Sequence, residues 1–384
     1  MNPAFAAALV LSAGFSKRMG DFKPLLKLDD RTLLEWVIGL FQAAGVTGIH
    51  VVVGHRAADV IPLIERHGAR SVVNARYAED MFSSVAAGAA SLDEDKDAFF
   101  VLPVDIPLVR PATIRDLLQA FPCGTASICH PTFGGRRGHP PLIGRDHIES
   151  ILKWNTAGGL TALLSRLEDH AVEVPVVDEF IHQDMDRPGD YRRLVDRLRH
   201  REVFSPAECD ALLNKRLQVS SAVAAHGRAV ADVAVRIGET LNRAGFFLNL
   251  HLIRAAALVH DLARGEPEHA RRGAKLLRDL DMPLMAAIVE THMDTSVGEE
   301  TPIREAEVVF LADKLVREDR FVGLAERFRV RLDDDRADPR ALESARRKFE
   351  SARLMGERIE AVIGRSLESL LAEAWAHKRT RCRP

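Results

Sequence analysis

The sequence predicts an α/β domain built on a mostly parallel sheet, followed by an all-α domain. Three observations lead there. Through the first half, short apolar runs alternate with amphipathic segments of helical period, which is the pattern of a sheet with helices on both faces. From Pro206 onward, long periodic segments replace the short β-branched runs. Between them, Ser205–Pro206 reads as an N-cap followed by proline at the first helical position, so the boundary falls near His200–Ser205. A chain of 384 residues has room for two or three domains at roughly 150 residues each. The expected division is therefore 1–200 and 201–384.

The expected strands are Ala7–Leu11, Ile49–Val53, Ser71–Val73, Ala98–Leu102, Thr125–Cys129 and Val172–Val176. Helical patterns lie between them at Thr32–Ala44, Ala57–His67, Ser83–Ser91, Pro111–Ala120 and Leu160–Leu167. Ligands of such sheets bind beyond the carboxyl ends of the strands. The glycine loop after the first strand and Asp105 after VLPV belong to that end. In the second half the helical readings are Pro206–Leu217, Ala222–Ala244, His251–Ala263, His269–Leu280, Met282–Thr291, Ile303–Arg317 and a tail from Arg340 to about Lys378. Arg331–Pro339 reads as a charged connection.

Composition narrows the function classes. The net charge of −2 gives no electrostatic case for nucleic acid as the main partner. Apolar stretches are too short to span a bilayer. The N-terminal AFAAALVLSAG lacks a positive leader and ends in a glycine loop, so it reads as the first strand. Cys123, Cys129, Cys209 and Cys382 are scattered and form no CxxC pair, which fits a reducing cytoplasm.

Two constellations carry chemistry. The first is LSAGFSKRMGDFK, Leu11–Lys23, directly after an apolar run. A strand running into a loop of small residues can offer backbone N–H groups, with Arg18 and Lys23 as cations, to a triphosphate. The spacing is not that of the Walker loop. Asp105, in the turn VLPVDIPLV, has the donor type that Mg²⁺ prefers.

LSAGFSKRMGDFKPLL, VVNARYAEDMFSSVAAG, LPVDIPLV, GRRGHPPLI and HQDMDRPGDY, in that order over roughly the first 195 residues, resemble the nucleotidyltransferases that act on the molybdenum cofactor. Gly138–His139–Pro140 is similar to the molybdopterin cytidylyltransferase branch. The resemblance implies a Rossmann-like domain that joins CTP, or another NTP, to molybdopterin and releases pyrophosphate, with a molybdoenzyme as a possible partner. It implies that Ser12, Ala13 and Gly14 contact the nucleotide, that Arg18 and Lys23 hold its phosphates, and that Asp105 binds Mg²⁺. The second metal carboxylate would be Asp186, favoured over Asp184 because it precedes the Arg-Pro pair. Ser83 and Ser84 would face the base or ribose, and His139 the pterin. Asn155–Gly159 departs from the branch's glycine–aspartate–x–glycine loop, which leaves the acceptor contacts open.

The second constellation is His226, His260–Asp261, His269, His292 and Asp313. His226 and Asp313 interrupt apolar helix faces. A carboxylate buried among Val, Phe and Leu is costly unless paired or bound to a metal. HGRAVADVA, ALVHDLAR, EHARRGAKLL, VETHMD and FLADKLV, from about Val219 to Phe328, resemble the HD phosphohydrolase superfamily. HARRGAKLL and LADKLV are most similar to its diadenosine tetraphosphate hydrolases. The resemblance implies that His226, His260, Asp261 and Asp313 ligate one metal, with His269 and His292 as extra ligands of a binuclear centre. Mixed imidazole and carboxylate donors suit Fe, Mn, Co or Ni. Arg264 and Lys314 read as surface cations with a smaller prospect of touching a substrate phosphate. His55, His67, His170 and His182 show no partners in the sequence.

The leading expectation is a bifunctional enzyme, a cytidylyltransferase joined to a metal-dependent phosphohydrolase. Alternatives are transfer to another phosphorylated acceptor such as a sugar or alditol phosphate, a nucleotide-sensing role for the helical domain, and a carrier role for the first.

Overall fold

The computed structural model describes residues 5–122, 127–293, 301–332 and 338–372. The chain divides into two compact units, Met1–Arg201 and Glu202–Pro384.

The first unit contains β1 (Ala6–Ser12), a small hairpin of β2 (Lys27–Leu28) and β3 (Arg31–Thr32), α1 (Leu33–Ala43), β4 (Gly48–Val53), α2 (Ala57–Arg66), β5 (Arg70–Val73), α3 (Met81–Ala90), β6 (Ala98–Pro103), α4 (Pro111–Ala120), β7 (Ile128–Phe133), β8 (Arg136–Arg137), β9 (Leu142–Gly144), α5 (Ile148–Lys153), α6 (Gly159–Arg166), β10 (Ala171–Pro175) and α7 (Pro188–Leu198). The main sheet runs β10-β7-β9-β6-β1-β4-β5, with β8 paired to β7. Its pairings are parallel except around β9, which is antiparallel to both β6 and β7, and at β8.

Alternation along β1 explains the layering. Ala6, Ala8 and Val10 join a core that also takes Leu34, Ile38, Ile64, Leu117 and Leu194. Ala7, Leu9 and Leu11 join a second core with Val85, Ala89, Ile151 and Leu163. Successive side chains of a strand point to opposite faces, so α1, α2, α4 and α7 cover one face and α3, α5 and α6 the other. All seven residues of β1 are buried, as a central parallel strand requires.

The seventh sheet segment differs from expectation. The strand expected at Thr125–Cys129 runs instead from Ile128 to Phe133, and Thr125 lies outside the described residues. The buried His130 and Thr132 hide its continuation from a reading based on apolar runs. β9 and α7 were not anticipated as separate elements, the first because three residues carry too little periodicity.

The second unit contains α8 (Pro206–Asp210), a π-helical turn at Ala211–Arg216, α9 (Ser221–Arg243), α10 (Leu250–Val259), α11 (His269–Asp279), α12 (Pro283–Thr291), α13 (Glu305–Leu315), a hairpin of β11 (Val316–Arg317) and β12 (Arg320–Phe321), α14 (Gly323–Leu332) and α15 (Pro339–Ile363). Ser205 caps α8 by accepting from the Glu208 N–H, and Glu208 returns a bond to the Ser205 N–H. From Val308 to Leu315 every residue of α13 is buried, and α9, α10, α12 and α15 pack on that helix.

Three boundaries are corrected. The helix expected over His251–Ala263 ends at Val259, so His260–Asp261 sits in the turn beyond it. Ile303–Arg317 shortens to α13 and yields a hairpin strand. The long tail breaks after Ile363, where Gly364 adopts a left-handed φ of 69°, and helix resumes over residues 367–372. The charged connection lies largely outside the described residues, as do Cys123, Cys382 and Asp294 of the VETHMD element. Among the described residues no helix is long and apolar enough to cross a membrane.

Candidate active sites

In the first unit a cleft of about 1130 Å³ opens at the carboxyl end of β1 and β6. It is lined by Ser12, Ala13, Gly14, Arg18, Lys23, Ser84, Asp105, His139, Asp184 and Asp186, among others. Lys23 Nζ lies 2.8 Å from Asp105 Oδ2 and 2.9 Å from Asp186 Oδ1. Arg18 Nη1 holds the other Asp186 oxygen at 2.7 Å. Three distant segments therefore converge on one ammonium group.

Local structure fixes each partner. The Lys23 N–H donates to Ser16 Oγ at 3.1 Å, folding the glycine loop back. The Met185 N–H donates to Asp105 O at 3.0 Å, tying the DMD segment to the turn after β6. Asp190, in the first turn of α7, accepts from the Asp186 N–H at 3.0 Å. Burial alone would lower the Lys23 pKa, but Asp105 and Asp186 raise it above the usual value. The Lys23 hydrogen bond holds the Asp186 carboxyl below its usual range against a smaller opposing effect of burial.

The chemistry of the donors fits Mg²⁺. Asp105 and Asp186 offer oxygen ligands within reach of one cation, the preference of a hard divalent ion. Ser12 Oγ is buried and has no hydrogen-bond partner among the described residues, although it lines the cleft. An unpartnered buried hydroxyl is uncommon and suits a polar ligand. His139 also lines the cleft; burial lowers its pKa against the pull of Asp105 and Asp184. Ser83 and Ser84, in the first turn of α3, are buried and bonded to Asn74.

In the second unit His226, His260, Asp261, His269, His292 and Asp313 come together from α9, α11, α13 and the ends of α10 and α12. His226 follows from a close helix approach. A Cβ on the adjacent Gly227 would lie 2.3 Å from Leu258 O, so only glycine lets α9 settle on α10. The His226 and His260 rings are 5.2 Å apart, His260 and His292 5.1 Å, and His269 and His292 5.5 Å.

The imidazoles are oriented by backbone carbonyls. His226 Nδ1 donates to Glu318 O at 2.7 Å, His260 Nδ1 to Ala257 O at 2.8 Å, and His292 Nδ1 to Val289 O at 2.5 Å. A carbonyl only accepts, so in the neutral imidazoles each Nε2 carries a lone pair directed at a carboxylate. His226 Nε2 is 3.1 Å from Asp313 Oδ1, and His260 Nε2 is 3.6 Å from the same atom. His269 and His292 Nε2 each lie 3.5 Å from Asp261 Oδ1, while His226 and His260 lie 4.0 and 3.7 Å from Asp261 Oδ2. Lone pair facing carboxylate is repulsive unless a proton or a metal ion lies between. The Nε2 atoms of His260, His269 and His292 are buried without a hydrogen bond.

Among the described residues two triads have ligand atoms within 4.8 Å of one another, His226–His260–Asp261 and Asp261–His269–His292. Asp261 is common to both. Burial raises the Asp261 pKa, but the facing imidazoles of His292 and His260 hold it well below the carboxylate range. Burial likewise raises the Asp313 pKa, and the Lys314 charge, the His226 contact and the nearby His260 imidazole outweigh it. Asp313 raises the His260 pKa against its burial.

Several residues behave otherwise than the sequence suggested. Lys314 is not a surface cation: it is 5% exposed, 2.5 Å from Asp313 Oδ2, and donates to His292 O at 3.1 Å. Its position beside Asp313 in an apolar helix was the available signal. Arg264 is exposed but reaches Asp261 Oδ2 at 3.1 Å. His182 bonds Arg136 O and lines the first cleft, His67 meets Glu35 at 3.0 Å, His170 contacts His147, and His55 stacks with Phe15.

Comparison with known proteins gives a match in each half of the chain. A MobA-like NTP transferase domain matches residues 8–172, and an HD domain matches residues 223–318. The bifunctional protein GlmU of Geobacter metallireducens is 32% identical over 120 residues, covering 30% of this chain and 24% of that protein. The bifunctional IPC transferase and DIPP synthase of Rubrobacter xylanophilus is 37% identical over 118 residues, covering 29% and 26%. The matches thus span about a quarter of each of these two relatives. Among solved structures, a nucleotidyl transferase from Methanothermobacter thermautotroptrophicus is 25% identical with a TM-score of 0.46, covering 51% of this chain and 98% of that one. The chain carries a MobA-like NTP transferase domain followed by an HD domain.

Proposed function

We propose that the first unit transfers a nucleotidyl group from an NTP to a phosphorylated acceptor and releases pyrophosphate. The observation that carries this reading is the meeting of Arg18, Lys23, Asp105 and Asp186 in one cleft. Arg18 and Lys23 would hold the triphosphate and stabilise charge on the departing pyrophosphate. Ser12, Ala13 and Gly14 would lie against the nucleotide. Asp105 and Asp186 would hold Mg²⁺, which neutralises phosphate charge. The finer reading is CTP as donor and molybdopterin as acceptor, with His139 on the pterin side and a molybdoenzyme receiving the product. It rests on the GHP element and the HQDMDRPGDY ending. A second acceptor class, a sugar or alditol phosphate, is kept beside it, since neither of these two relatives is named for molybdopterin chemistry. A screen of the four NTPs with and without molybdopterin, following pyrophosphate, tests both; no release with any combination contradicts transfer.

The second unit is read as a metal-dependent phosphohydrolase. Its support is the set of Nε2 lone pairs aimed at Asp261 and Asp313. His226, His260, Asp261 and Asp313 would hold one ion, and Asp261 would share a second with His269 and His292. Iron, manganese, cobalt or nickel suits these donors. Such ions lower the pKa of bound water and polarise a phosphoryl oxygen. Metal analysis with a bis-p-nitrophenyl phosphate assay separates hydrolysis from nucleotide sensing: metal and turnover support it, while a metal-loaded protein without turnover on this and on dinucleoside polyphosphates favours the sensor.

A further inference from the structure

The nucleobase lacks an evident partner among the residues expected to meet it. Ser83 Oγ donates to Asp80 O at 2.8 Å and accepts from Asn74 Nδ2 at 2.9 Å; Ser84 Oγ accepts from the same amide at 3.0 Å. These hydroxyls are 5% and 4% exposed, so they offer a base little surface although Ser84 lines the cleft.

The wall of the cleft beside the glycine loop offers aromatic surface instead. Phe15 lines the cleft and is 39% exposed, an unusual cost for a phenyl ring. Tyr77 lines the same cleft, its ring centroid 5.4 Å from that of Phe15 at 50°. His55 lies 5.1 Å from Phe15, and Phe22 stands edge-on to His55 at 5.9 Å. This group is held in place by backbone. The His55 N–H donates to Ala13 O at 3.1 Å, joining the Phe15 loop to the chain after β4. Tyr77 lies directly on Gly54, where a Cβ would come within 2.5 Å of its side chain. Lys17 Nζ is 4.7 Å from the Phe15 centroid, so the ring already serves as a platform for a surface group.

We infer that the exposed Phe15 ring, braced by the tilted Tyr77 ring, is a stacking platform for the base of the donor nucleotide, recognising its flat face rather than its hydrogen-bonding edge. This rests on the reading of the cleft as an NTP site. The loop that carries Phe15 also carries Arg18 and leads to Lys23, so one short segment offers a ring to the base and cations to the phosphates. Every base has a π-face, so the platform strengthens binding of purine and pyrimidine nucleotides alike.

Calorimetry on the full chain with Mg²⁺ tests this, using CTP, GTP and inorganic tripolyphosphate as probes. Phe15→Ala, at an exposed position, should weaken CTP and GTP about tenfold each and leave tripolyphosphate binding unchanged. Phe15→Trp should restore nucleotide affinity. Unchanged CTP and GTP binding in Phe15→Ala, or an equal loss of tripolyphosphate, overturns the platform while leaving nucleotidyl transfer standing. A wild-type chain that binds none of the three probes overturns the NTP reading itself.

Discussion

Lys23 and Asp105, 82 residues apart in the chain, meet at 2.8 Å at the floor of the first cleft. The contact joins the loop after β1 to the turn after β6, two neighbouring parallel strands. Asp186 closes the group from a third segment. A lysine 8% exposed between two carboxylates is stable because both charges are matched, and the same matching assembles cation and anion donors around one point.

Asp186 rather than Asp184 makes both ion pairs of the DMD segment. Asp186→Asn should therefore raise the Mg²⁺ concentration needed for half-maximal pyrophosphate release by about tenfold or more. Asp184→Asn should leave it within about twofold. The reverse ranking would move the metal carboxylate to Asp184.

Asp261 faces all four imidazoles of the helical site. Asp261→Ala should leave less than about a tenth of the metal found in the wild type after purification and dialysis, measured by elemental analysis. His292→Ala should retain part of it, since the other triad is untouched. Wild-type metal content in Asp261→Ala would rule out the proposed ligand set.

Much of this was legible because the chemistry sits where apolar periodicity breaks. Asp313 within VVFLADKLV and His226 within an alanine-rich helix stand out for that reason. The same logic failed where burial is carried by polar side chains. His130 and Thr132 extend β7 beyond its apolar stretch, so the strand was placed too early. The end of α10 was also hidden. His260 turns its Nδ1 to Ala257 O, a local side-chain bond that competes with helix continuation and that no apolar pattern records. Gly364, by contrast, was an available stop signal for α15. Ion pairs such as Lys23–Asp186 depend on tertiary closure and leave no local trace.

The segment that carries Asp186 is anchored by another buried pair. Arg110 and Asp178 are 2% and 1% exposed and lie 3.2 Å apart. Asp178 also accepts from the Arg110 N–H, Thr113 Oγ1 and the Phe180 N–H. Asp178→Ala would remove the one carboxylate shared by the Arg110 guanidinium, the Arg110 N–H, Thr113 Oγ1 and the Phe180 N–H, so denaturant unfolding should show a loss of about 3–5 kcal/mol. A loss below about 1 kcal/mol would mean that the pair is dispensable.

His130 makes a pH prediction. Burial, aided by the Arg137 charge, lowers its pKa to about 4 from 6.5. The folded chain then binds fewer protons at this site than the unfolded chain between these values, so stability rises with pH across that window and falls as pH drops from 6.5 toward 4. The cost below pH 4 is roughly 3 kcal/mol. His130→Gln removes it. The stability of this variant relative to wild type should improve as pH falls from 6.5 to 4, and a difference independent of pH would contradict the assignment.

The most direct test of two independent phosphate-handling sites is a paired assay on one preparation of Asp105→Ala. Pyrophosphate release from NTP and acceptor should fall by about a thousandfold, while metal-dependent phosphodiester hydrolysis stays within about twofold of wild type, as expected for sites that share no residues. Loss of both activities together, or retention of pyrophosphate release, would contradict the account.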